Sequence, residues 1–157
     1  MTTSSLNTEM PVYQIVTSTI NTVVTCTTLL PRDDTIPQKT EGDEVLTATI
    51  VPRSATSKLL IEFFAPFALS AVTTASEVAL FQDATAGALS AHSFRHTNVA
   101  FLSHFMTSGT ASSTTFKIRM GPEGTPKSVY VNGDTAGNRV LGGVSLATLK
   151  ITEFLIE

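Results

Sequence analysis

Tryptophan is absent from this chain, cysteine occurs once, and charged residues make up only 15% of its 157 positions. Each shortage excludes something. A single cysteine, Cys26, cannot form an intrachain disulfide, so this is no disulfide scaffold, and a small buried apolar side chain is expected there. Ten Lys and Arg against 13 Asp and Glu leave a net charge of −3, which argues against the basic patch that non-specific nucleic-acid binding needs. No apolar run approaches the ~20 residues of a membrane-spanning helix. The opening MTTSSLNTEM lacks a basic region followed by an apolar one, so no secretory signal is expected and synthesis in a cytoplasm is. A sustained helical period is also missing.

Threonine is plentiful, at roughly one residue in six, well above ordinary usage. Thr and Val are stiff at χ1 and pack well on a pleated surface. Short alternating runs recur from Val12 to Ile156, separated by Gly, Pro, Asn and Asp. Glu44–Val51 carries Leu46, Ala48 and Ile50 on one parity. Lys58–Leu69 carries Leu59, Ile61, Phe63, Ala65, Phe67 and Leu69 on one parity, and Leu60, Phe64 and Ala68 with Glu62 on the other. Pro66 predicts an edge or a bulge in that run, because proline cannot donate to a ladder. Ser113–Met120 alternates, with Phe116, Ile118 and Met120 directed inward. Leu149 and Ile151 share one parity while Phe154 and Ile156 share the other, so a bulge near Glu153 or burial on both faces is expected. The fold class is all-β, read as a jelly-roll β-sandwich. Residues 1–25 read as an N-terminal arm or extension with a possible first strand, and residues 26–157 as the domain.

Six blocks in order carry a resemblance: TIPQKTEGDEVLTATIVP (Thr35–Pro52), KLLIEFFAPFA (Lys58–Ala68), EVALFQDATAGALSA (Glu77–Ala91), TTFKIRMGP (Thr114–Pro122), VYVNGDTAGNRVLGGV (Val129–Val144) and LKITEF (Leu149–Phe154). They resemble a module of tailed-bacteriophage structural and tail-associated proteins whose jelly roll is similar to tumour-necrosis-factor and complement-head domains. The resemblance implies a homotrimer packed through flat sheet faces, located in the virion, with other virion proteins as partners and no catalytic residues. Because it spans most of the chain, a decoration, head-fibre or collar role is expected beside a tail-associated one. The alternative is a host-attachment module that binds cell-surface glycan through its loops.

The residues themselves nominate two surfaces. Val99, Phe101 and Phe105 share one face of a strand, and Ala100, Leu102 and Met106 the other. A strand apolar on both sides needs cover on both sides, so Val99, Phe101, Leu102, Phe105, Met106, Phe154 and Ile156 are the expected subunit interface. Phe94, Arg95, His96 and Asn98 combine an aromatic ring, a guanidinium and polar groups, the mixture that sugar recognition uses. His92 and His96 lie four apart, but in an extended strand that is ~13 Å, so no metal is expected. Asp33, Asp34, Glu41, Asp43 and Glu44 read as solvated loop carboxylates rather than calcium ligands. No cofactor and no enzymatic activity are expected.

Overall fold

The computed structural model describes residues 11–71 and 74–155. Met1–Met10, read as an arm, and Ile156, read as an interface residue, lie outside the described residues. The chain forms β1 (Val12–Ile20), β2 (Val24–Cys26), β3 (Asp43–Ile50), β4 (Lys58–Leu69), β5 (Ala75–Gln82), β6 (Ser90–Arg95), β7 (Asn98–Thr107), β8 (Thr114–Pro122), β9 (Val129–Val131) and β10 (Ala147–Phe154). A single 3₁₀ turn, Leu141–Gly143, precedes β10. All ladders between these strands are antiparallel. Residues 12–25, set apart by the sequence reading, hold an edge strand on β10 and a short strand on β9.

Two sheets form a β-sandwich. One runs β1-β10-β4-β7, with β9 and β2 continuing beyond the end of β10, and the other runs β3-β8-β5-β6. Inward-facing side chains of both make one core, in which Leu59, Ile61, Phe63, Phe116, Ile118, Met120, Leu149 and Ile151 are fully buried. The period-two runs fix which parity turns inward. Val45 and Leu46 are both buried because the β3–β8 register shifts between Glu44 and Leu46, a bulge that turns two neighbours to one side.

One local expectation is corrected. Pro66 is not on an edge: β4 is interior, flanked by β7 along its length and by β10 and then β9 on the other side. The β10 ladder stops at Phe64 and the β9 ladder starts at Phe67, so Pro66 falls in the break. Its carbonyl accepts from Asn132 N (2.9 Å), just past β9. In an antiparallel strand the missing N–H would point to that same side, where no ladder bond is lost. At the end of β10 the expected burial on both faces is seen, at Ile151, Thr152 and Glu153, and the ladder irregularity opposite Glu153 places its extra residue in β1, between Val12 and Gln14. Leu149, Ile151 and Glu153 keep one parity, and Glu153 is a fully buried carboxylate. It accepts from Gln14 Nε2 (2.6 Å) and Arg53 N (2.7 Å).

The segment 27–42 crosses the outer face of the β3-β8-β5-β6 sheet as a strap. Leu30 packs on Ala79 and Phe81 in a second small core. A Cβ on Gly121 would stand 2.3 Å from the Thr28 carbonyl oxygen, so only glycine permits this approach. Asp43 accepts from the Thr27 and Thr28 amides (2.7 and 2.9 Å) and from Thr28 Oγ1 (2.7 Å). Arg119 donates to the Glu41 and Gly42 carbonyls, each at 2.7 Å. Cys26 lies under the strap's start, fully buried, and burial chiefly pushes its thiol up to about 12, with the Asp43 charge adding to the rise.

Replacing Glu153 by Ala removes the acceptor of the Arg53 N–H and one of the two acceptors of Gln14 Nε2, which keeps the Val51 carbonyl (2.8 Å), and should cost roughly 1–2 kcal/mol in denaturant unfolding. The strap should respond to acid. Burial raises the Asp43 carboxyl, but the bonds from Thr28 and Thr27 and the Arg119 charge outweigh it and hold it below the usual carboxylate range. A depressed native value contributes stability above the unfolded-state pKa and loses it as pH falls through the native value. Hydrogen-exchange protection of the Thr27 and Thr28 amides should therefore fall below pH ~4 while β4 stays protected. In Asp43→Asn those two amides should be weakly protected at neutral pH, with little further change on acidification.

Candidate subunit interface

Among the described residues no strap crosses the outer face of the β1-β10-β4-β7 sheet. Alternation turns every second residue of each strand onto it, and the registers align them in rows. Ile15, Thr152, Leu60 and Phe105 form one row; Thr17, Lys150, Glu62 and Ser103 the next; Thr19, Thr148, Phe64 and Phe101 the third. Pro66 pairs with Val99 beyond them. The apolar members are exposed: Ile15 by 58%, Phe105 by 51%, Phe101 by 50% and Phe64 by 48%. Exposed singly, such residues need no explanation; four on one face of one sheet mark an interaction surface.

Threonines and Ser103 separate the apolar groups on this face, and its two charged row members pair with each other. Lys150 Nζ meets Glu62 Oε2 at 2.6 Å in the middle row. Beside that pair is a depression of 190 Å³ between Phe64, Phe101, Thr148 and Lys150. At the β1 edge the Arg53 guanidinium lies 5.0 Å from the Tyr13 ring centroid and donates to its hydroxyl (3.2 Å). Phe154 is half-buried, with its ring 6.4 Å from that of Phe105, so it belongs to the same face.

Val99, Phe101 and Phe105 from the sequence reading thus stand together on this face. Leu102 and Met106 do not: Leu102 is fully buried between the sheets and Met106 packs on the core, so both are core residues, not contact residues. Their parity is that of Ala100, the inward one. Ile15, Tyr13, Leu60 and Phe64 were missed. The second parity of β4, with Leu60 and Phe64 beside Glu62, was the available signal for two of them, and the Tyr13-x-Ile15 alternation for the others.

The proposed sugar-contact group is split by the fold. Phe94 and Arg95 end β6 and Asn98 opens β7, leaving only His96 and Thr97 between the strands. Phe94 is half-buried and packs edge-on against Phe67, ring centroids 6.2 Å apart. Arg95, His96 and Asn98 are exposed; His96 has φ +63° and Asn98 Oδ1 accepts from the Val99 amide (2.8 Å).

The three histidines stay apart. His92 is on β6, His96 in the turn, and His104 on the inward parity of β7, where burial lowers its pKa. Among the described residues no three His, Cys, Asp or Glu side chains converge on a metal-sized site. The strap carboxylates have separate partners: Asp33 with Thr35, Glu41 with the Gln38 amide, Asp43 with Thr27 and Thr28, and Glu44 with Lys117 at 3.0 Å. No family model matches the chain, and no curated protein matches it.

Proposed function

We propose that this chain is a non-enzymatic structural protein of a bacteriophage virion, a jelly-roll homotrimer that assembles through the outer face of the β1-β10-β4-β7 sheet. One observation carries the assembly half: Ile15, Phe64, Phe101 and Phe105 are about half exposed on one sheet face that no described segment covers, while the opposite outer face has its own strap. The strand orders β1-β10-β4-β7 and β3-β8-β5-β6 support the jelly roll, which folds two sheets face to face from eight strands. The virion setting rests on the resemblance of the six sequence blocks. Closed cyclic symmetry covers such a face without generating open fibres. The job of the protein on this reading is to decorate, bridge or cap other virion proteins, in the capsid, the collar or the tail.

The central ion pair fits this reading. Lys150 and Glu62 are partly exposed, at 42% and 29% of their side chains. In a free protomer such a pair contributes ~0–1 kcal/mol. Under a partner it becomes buried, where a matched pair is tolerated and a lone charge costs roughly 3–5 kcal/mol.

Light scattering at micromolar concentration should give the mass of three chains. Phe101→Asp should dissociate it, weakening each interface by roughly 2 kcal/mol or more, with the β signal in circular dichroism unchanged. A monodisperse wild-type monomer would overturn the assembly reading. Imaging of intact particles tests the rest: symmetric copies on the capsid, collar or tail are expected, and their absence from particles refutes the virion role.

Glu62→Ala separates interface from fold. Its unfolding midpoint as an isolated protomer should barely move, while trimer formation should weaken sharply. Equal effects on both would mean that the pair serves the sheet alone.

A further inference from the structure

The strap leaves a cleft where it passes over β5 and β6. Glu77 lies on the outer parity of β5 at its base and is only 7% exposed. One carboxylate oxygen, Oε1, accepts from Ser93 Oγ at 2.9 Å. The other takes no hydrogen bond from any described residue. The side-chain atoms sealed from solvent without a partner are Ser57 Oγ and Ser76 Oγ, so Glu77 Oε2 opens onto the cleft. That oxygen is open to the cleft, free to accept a hydrogen bond from water or from a ligand that displaces it. Burial chiefly raises the Glu77 pKa, against the Ser93 bond and the nearby Arg32 and Arg95 charges.

The cleft holds 230 Å³. Pro31, Arg32 and Pro37 line it from the strap, and His92 and Ser93 from β6. Arg32 is held loosely over it, 3.6 Å from Glu123. Asp33 on the rim is turned back on Thr35 through its amide and hydroxyl.

These groups define a ligand. Glu77 Oε2 can accept a hydrogen bond from a ligand. Arg32 supplies donors and accepts nothing, and Ser93 and His92 can do either. Two proline rings offer apolar C–H surface. The wall carries one cation, Arg32, and two carboxylates, Glu77 and Asp33, so a plain cation meets Arg32 and a plain anion meets the carboxylates. What fits is a small neutral body carrying donors and acceptors side by side on an apolar frame. The volume lies below the ~300–1,000 Å³ of pockets for drug-sized ligands, which limits it to one ring. We propose that this cleft binds a single hydroxylated sugar ring, with Glu77 accepting from adjacent hydroxyls and Arg32 donating to them. The site lies on the opposite sheet from the candidate subunit interface and does not rest on trimer assembly.

The test is titration of isotope-labelled full-length protein with D-glucose, D-galactose, D-mannose and N-acetyl-D-glucosamine, followed by amide chemical shifts. At least one sugar should give saturable shifts centred on 32–37 and 91–93. Glu77→Gln, which keeps the shape, and Arg32→Ala should each weaken binding by roughly tenfold, the worth of one hydrogen bond to a charged group. No saturable shift in this cleft with any of the four sugars overturns the proposal, as does binding that neither variant weakens. A short oligosaccharide ending in the bound sugar distinguishes sources: tighter binding than the free sugar assigns a surface glycan, and equal or weaker binding assigns the monosaccharide. The readout is independent of mass, so failure here leaves the assembly reading standing, and a monomeric protein leaves this one standing.

Discussion

A two-layer sandwich has four sheet faces and one core, so two faces always look outward and each must be polar, covered or sticky. This chain solves the two sides differently. On the β3-β8-β5-β6 side it folds 27–42 back over its own sheet, buries Leu30 on Phe81, and pins the crossing with Asp43, Arg119 and the bare backbone of Gly121. On the β1-β10-β4-β7 side no described segment plays that part, and the outward parity still carries Ile15, Phe64, Phe101 and Phe105. The asymmetry follows from β4, a strand apolar on both parities and interior to its sheet, whose inner row is the centre of the core. No described segment covers the outer row, and in the proposed assembly a second copy would supply matching apolar surface.

Sequence alone made most strands legible, because alternation needs only neighbours along the chain. Lys58–Leu69 matches its strand residue for residue, and the inward set Leu59 to Leu69 is buried throughout. Strand order was not legible in this way, since it depends on partners far apart in sequence, such as Val16 with Ile151. The errors have the same origin. Pro66 argues for an edge only if ladders are assumed continuous, and the gap between β10 and β9 appears only when both are placed. Glu153 left a bulge or two-faced burial open on paper because its two donors, Gln14 and Arg53, are remote. The apolar character of β7 on both sides was readable, but which parity met the core was not, so Leu102 and Met106 were counted with Phe101 and Phe105. The Phe94–Asn98 group read as one loop because the short His96–Thr97 crossing between sheets leaves little turn signal.

The strap and the bare face also differ in what they can recognise. A flat sheet face with a few large apolar groups suits another flat face, where shape and area count and orientation needs an added device. The Lys150–Glu62 pair can supply that device, since an ion pair entering a low-dielectric interface penalises any register that separates its members. The strap, by contrast, makes a concave seam where backbone curvature, a carboxylate oxygen free to accept and proline rings meet within one small volume. Concavity and free hydrogen-bonding capacity favour a small polar ligand over a protein surface.

The edges of the sandwich constrain the assembly further. β1 and β7 bound the uncovered face, and each offers a row of free backbone groups that would pair readily with another strand. The β1 edge interrupts that template with a register shift between Val12 and Gln14 and an arginine stacked on Tyr13. Edge-to-edge pairing through β1 is thus hindered, and the side chains of the apolar face are left as the route by which the proposed assembly would form.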